Sequence, residues 1–170
     1  MLIEQLKEHK IDIRIGDSME IIKIVTGTLD ENCYILKENN TCLIVDPGDD
    51  YLKIKDVIGD DKLLGVLITH SHFDHVGALR HFLGKRSVKI FKKSSVLEQE
   101  YKVGDFTFKA IYTPGHSKDS VSFYFEEDKA MFVGDFIFKE SIGRCDITLY
   151  PGHDDITTIA FELENNPYLR

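Results

Sequence analysis

Alternating apolar and polar residues divide the chain into short strands parted by turn formers, with a few helical stretches between them. Residues 20–26 (EIIKIVT), 32–37 (NCYILK) and 41–46 (TCLIVD) are β-branched or alternating runs separated by residues 28–31 and 38–40. They predict an antiparallel meander closed by Asp46-Pro47-Gly48. Residues 51–58 read as a short helix. GVLIT at 65–69 is too short for a helix and ends abruptly in polar residues, as a buried strand does. From His75 to Leu83 the residues Val76, Leu79, Phe82 and Leu83 fall at helical spacing, with Asp74 placed to cap the start and Gly84 to stop it. A second strand-rich half follows in VKIF (88–91), FTFKAIY (106–112), VSFYF (121–125) and AMFVG (130–134), and a final helix is expected over about 155–164. Two strand groups with intervening helices predict an α/β domain in which two sheets pack face to face under outer helices.

A length of 170 residues, 42% hydrophobic and 29% charged, fits one domain with a substantial core. The 29 acidic residues outnumber 21 basic ones, and a formal charge of -8 repels phosphate backbones and anionic membrane surfaces. Nucleic acid and membranes are therefore not expected as partners, and a small-molecule substrate is. Carboxylates gathered round bound cations would neutralise part of that charge. No apolar run approaches the ~20 residues needed to span a bilayer, and the opening MLIEQLKEHK is charged where a secretory signal is apolar, so a cytoplasmic protein is expected. Cys33, Cys42 and Cys145 are odd in number and widely spaced, which argues for reduced core thiols rather than a disulfide framework.

The candidate chemistry lies at strand ends. THSHFDH follows GVLIT directly, so His70, His72, Asp74 and His75 leave one strand within six residues. Alternate residues of an extended segment share a side, which lets His70 and His72 face one ion while a turn redirects Asp74 and His75 toward another. His116 in TPGHS, Asp135 in FVGD and His153 in YPGHDD each follow a turn residue at a strand end. Singly, these three read as ordinary turn or cap residues. Together, their type, number and setting favour a metal site, while His9 and His81 keep a structural reading.

THSHFDH followed by TPGHS, GD and PGH resembles the ligand series of the metallo-β-lactamase superfamily. NCYIL (32–36), IVDPG (44–48), FKESIGRCD (138–146) and TTIAFELENNPYL (157–169) resemble its glyoxalase II-like branch, the hydroxyacylglutathione hydrolases. The resemblance spans about residues 19–170 and leaves residues 1–18 as an N-terminal extension of a single metallo-hydrolase domain. It implies an αββα sandwich of two mixed β-sheets flanked by helices. It further implies that His70, His72 and His116 hold one ion, that Asp74, His75 and His153 hold a second, and that Asp135 bridges both, with Asp74 and Asp135 carrying catalytic roles. Such ligands suit two divalent ions, zinc first, with iron or manganese as alternatives. Two ions about 3.5–4 Å apart can share one water, lower its pKa and polarise a carbonyl, which suits hydrolysis of a thioester or a related ester or lactone.

Three departures from the branch bear on that expectation. Hydroxyacylglutathione hydrolases proper carry a C-terminal helical domain that helps bind glutathione, and the last ligand motif here lies close to the end of the sequence, so glutathione specificity is not implied. Only Ile147, Thr148 and Leu149 separate Asp146 from Tyr150, where relatives have a further helix, which bears on the placement of His153. The extension holds an amphipathic stretch (2–9) and an alternating one (11–15), expected to pack where that helix would lie. Two rival readings are a mononuclear iron persulfide dioxygenase and a metal-binding protein without turnover.

Overall fold

A computed structural model describes residues 11–15, 18–84, 88–139, 141–143, 148–149, 157–158, 161 and 165. The first half of the chain builds a six-stranded sheet, in spatial order β1 (Ile11–Ile15), β2 (Glu20–Thr26), β3 (Glu31–Glu38), β4 (Thr41–Val45), β5 (Lys62–Leu67) and β6 (Lys89–Phe91). The pairs from β1 to β4 are antiparallel, and β4, β5 and β6 run parallel. Parallel neighbours need a crossover. Helix α1 (Tyr51–Ile58) supplies the first, and the second runs through one turn of helix α2 (Phe73–Val76) and a 3-10 turn at Leu79–His81. The second sheet, in the order β10 (Ala130–Phe132), β9 (Val121–Phe125), β8 (Phe106–Tyr112) and β7 (Glu100–Val103), is antiparallel among the described strands.

Period-2 alternation sends the strands β2 to β6 of the first sheet into two cores. Leu36, Leu43, Val45 and Leu67 face the aromatic side of the second sheet, where Phe106, Phe108, Phe123 and Phe125 are at most 2% exposed. On the other face Ile24, Ile35, Ile44 and Val66 meet Ile54 and Ile58 of α1 and Phe82. Burying such a side chain contributes about 1.5–3 kcal/mol, so the sheet is held from both sides. That explains why β4 is apolar at consecutive positions rather than alternate ones. Cys33 and Cys42 belong to the outer core as buried free thiols. Burial pushes the Cys42 thiol up to about 12, which removes it as a nucleophile. Cys145 lies outside the described residues.

Two polar ties fix the sheets against each other. Asp128, in the β9–β10 turn, accepts from the backbone N–H of Ser18 at 2.8 Å and of Met19 at 3.1 Å, clipping the start of β2 to the second sheet. The N–H of Val121, at the head of β9, donates to the carbonyl of Thr69 at 2.8 Å. This second bond brings the polar end of β5 against the second sheet.

Several elements differ from the sequence reading. The helix expected over 75–83 is broken, because the N–H of Ala78 donates to the carbonyls of Pro47 and Gly48 at 3.0 and 3.1 Å instead of continuing the helix. Asp74 stands in the first turn of α2 rather than at its cap, and no side chain caps that turn. The strand expected over 65–69 starts earlier and ends at Leu67. Within the final helix expected over 155–164, Thr157–Thr158 instead pair with Thr148–Leu149 as short strands, Phe161 is helical, and the remaining residues lie outside the described ones. Residues 11–15 form β1 along the edge of the first sheet, and residues 2–9 lie outside the described residues. No helix among the described residues is long and apolar enough to cross a membrane.

Candidate metal centre

Strand ends from both sheets deliver the polar residues. Asp46 follows β4, the segment Thr69 to His75 follows β5, His116 follows β8 and Asp135 follows β10. The ring nitrogens of His70, His72 and His116 lie within 4.8 Å of one another. His72 Nδ1 stands 3.0 Å from His70 Nε2 and 2.8 Å from His116 Nε2. Three nitrogens about 2.1 Å from one tetrahedral ion would stand about 3.4 Å apart, close to this spacing.

The carboxylate of Asp135 lies between two histidines. Its Oδ1 is 3.3 Å from His75 Nε2 and its Oδ2 is 3.5 Å from His116 Nε2. Asp74 Oδ2 is 3.8 Å from His75 Nε2. Six of the seven residues singled out in the sequence therefore converge, and His153 lies outside the described residues. His81 is exposed and stacks on Tyr51 with ring centroids 4.3 Å apart. Replacing His81 by alanine is expected to leave metal content unchanged by elemental analysis, and loss of an ion would place it in the site.

Asp46, which the sequence places in a closing turn, organises the buried side of the centre. It is 3% exposed, adopts a left-handed φ of 48°, and accepts the backbone N–H of Thr69 at 2.7 Å. The Thr69 hydroxyl donates to Asp46 Oδ2, so its oxygen is left to accept from His70 Nδ1 at 3.1 Å. His75 Nδ1 donates to Asp46 Oδ2 at 3.0 Å. One carboxylate thus fixes the orientation of both rings. Nε2 of His70 faces the cluster as a lone pair, and Nε2 of His75 faces it as an N–H toward Asp135 in the metal-free protein, becoming a ligand on loss of that proton. The available signal was an acid directly after an apolar strand, in a position where turn chemistry is the commoner explanation.

Charge in the centre is tightly balanced. Burial, reinforced by neighbouring His75, lowers His70 to about 4. Burial also opposes charge on His75, but hydrogen bonds to Asp135 and Asp46 outweigh it and raise the imidazolium to about 10. The hydrogen bond from His75 holds the Asp135 carboxyl below its ordinary range despite burial. Glu31, raised to about 8 by burial in spite of a hydrogen bond from Thr26 to its Oε2, has its Oε1 3.8 Å from His75 Nδ1, and that oxygen has no hydrogen-bond partner among the described residues.

These values set the pH response of metal-free protein. His75 titrates at about 6.5 unfolded and about 10 folded, so its contribution is complete below 6.5 and lost toward 10. Glu31 likewise holds its proton to higher pH when folded, from 4.5 to about 8. Between pH 6.5 and 8 both make the unfolded chain the poorer proton binder. The melting temperature in chelator is expected to fall across that window, and a rise in thermal denaturation would contradict the assignment.

A two-sheet sandwich with histidines and carboxylates converging at strand ends places the chain among folds with a candidate metal centre at the sheet ends. The profile of the metallo-beta-lactamase superfamily matches residues 26–98 and 94–165, so the chain belongs to that superfamily and has its fold. It is 27% identical to the probable metallo-hydrolase YqgX of Bacillus subtilis, over 86% of this chain and 96% of the relative. It is 26% identical to hydroxyacylglutathione hydrolase GloC of Haemophilus influenzae, over 89% and 98%. Those alignments run to 202 and 209 residues, longer than the chain itself, so both relatives carry segments absent here. Among solved structures, BLEG-1 B3 metallo-beta-lactamase is 28% identical with a TM-score of 0.62, covering 86% of this chain and 98% of the other. TTHA1623 in a di-iron-bound form is 25% identical with a TM-score of 0.64, covering 86% and 99%.

Proposed function

We propose that this protein is a binuclear metal-dependent hydrolase acting on a thioester or a related ester or lactone. The observation that carries the reading is the placement of Asp135, whose two oxygens face His75 on one side and His116 on the other. On this reading His70, His72 and His116 hold one ion, Asp74 and His75 hold the second together with His153, and Asp135 joins the two. The donor set fits, since neutral imidazoles and carboxylates suit zinc, with iron and manganese close behind. TTHA1623, as a di-iron-bound structure, supports the count of two, and the hydroxyacylglutathione hydrolase relatives support a thioester.

Bound ions of this kind supply Lewis acidity and make water acidic near neutral pH. The chain's own residues provide geometry and proton control. Asp46 and Thr69 hold the buried imidazoles in the orientations that present Nε2. Asp74 and Asp135 stand beside His75 Nε2, where they would hold the ions and, through them, the water to be activated. No serine or cysteine nucleophile is required.

The test is elemental analysis of protein purified without chelators, beside hydrolysis of a panel of thioesters and lactones. About two ions per chain with turnover is expected. One iron with oxygen uptake would replace this reading with persulfide oxidation, and bound metal without turnover on any substrate would make the chain a metal-binding protein.

A further inference from the structure

A cavity of about 880 Å³ lies between the edge of the first sheet and that of the second and reaches Asp74, His75 and Asp135. Its size is that of a small-molecule site. Along β2 and β3 its lining runs from Glu31, paired with Thr26, to Ile21, paired with Leu36. Those pairs are five residues apart, about 17 Å at 3.4 Å per strand residue. The cavity is therefore a long groove with the candidate ligands toward one end.

Away from that end its walls combine apolar side chains with Lys23 and Lys129. Tyr34, Val45 and Phe132 form part of the inner wall. Ile13 at 50% exposure, Leu29 at 59%, Met131 at 43%, Ile137 at 52% and Phe138 at 46% also line it, which gathers five of the eleven exposed large apolar side chains among the described residues round one feature. Such a concentration marks a binding surface rather than ordinary scatter. Lys129 and Lys139 line it too, both exposed, and such side chains lay methylene stems along apolar surface.

We infer that this groove is an acyl-chain subsite, and that the preferred substrates are thioesters or esters with a long unbranched apolar acyl arm. The inference rests on the hydrolase reading above for the chemistry, and on the groove alone for the arm. A carbonyl held beside Asp135 places the acyl chain along β2 and β10, where each methylene removed from water adds to binding.

The test uses the full metal-loaded chain and thioesters of one thiol, N-acetylcysteamine, with acetyl, butyryl, hexanoyl and decanoyl groups. kcat/KM is expected to rise about twofold to fourfold per buried methylene. Decanoate is expected to bind more tightly than acetate in calorimetry, a readout independent of turnover. Met131→Asp is expected to flatten both trends and Met131→Leu to keep them, with metal content verifying that each variant folds. Equal kcat/KM across the series, or decanoate binding no tighter than acetate, would overturn the subsite. Tighter decanoate binding with no thioester hydrolysed would leave the subsite standing and remove the hydrolase reading.

Discussion

Asp135→Ala is expected, on the binuclear reading proposed above, to reduce metal content from about two ions per chain to less than one and to lower kcat/KM by more than about a hundredfold. Loss of a residue that merely orients a metal ligand typically costs 10–100-fold. Asp135 is placed to do more, because its oxygens approach His75 at 3.3 Å and His116 at 3.5 Å. Alanine would leave two imidazoles without the carboxylate that lies between them. Elemental analysis and thioester kinetics on one preparation decide the matter, and retention of both ions would remove Asp135 from the ligand set.

Gly48→Ala is expected to be strongly destabilising although Gly48 is not a candidate ligand. A Cβ at Gly48 would stand 2.0 Å from the carbonyl oxygen of Asp74 and 2.5 Å from a carboxyl oxygen of Glu31. Neither can yield easily, since Asp74 sits in the single turn of α2 and Glu31 is buried against His75. The Gly48 carbonyl also accepts from Ala78, so the loop cannot retreat without breaking that bond. Overpacking of this kind costs about 3 kcal/mol, a fall of roughly 6–12 °C in melting temperature for a chain of this size. The displaced backbone carries Asp74 and His75, so metal content should fall as well. An unchanged melting temperature in thermal denaturation would show that the loop is looser than the structure describes.

The sequence disclosed what depends on local pattern. β8, which alternates in burial, and β9, which is buried at four of five positions, have the bounds the sequence predicts, because their inward residues are large and apolar. β7 was missed because EYKV buries only Val103 fully, so its alternation carries little hydrophobic contrast. The helix from His75 was overextended because its break is tertiary, made by bonds to Pro47 and Gly48 far back in the chain. The same division holds at the centre. His70, His72, Asp74, His75, His116 and Asp135 announce themselves by residue type and strand-end setting. Asp46 does not, because it acts through hydrogen bonds to Thr69 and His75, 23 and 29 positions away, that no spacing rule encodes, and Thr69 gains its role only through Asp46.

The distribution of candidate ligands between the sheets has a consequence for folding. His70 to His75 hang from the first sheet, and His116 and Asp135 from the second. An ion held by both groups acts as a clasp across the sandwich, and it can close only when the two layers are already in register. Metal affinity is then partly a measure of assembly. By mass action, free ion at 1,000 times its dissociation constant adds about 4 kcal/mol to the folded state. The protein's resistance to denaturation would accordingly follow the metal available in its surroundings as much as the apolar contacts between its sheets.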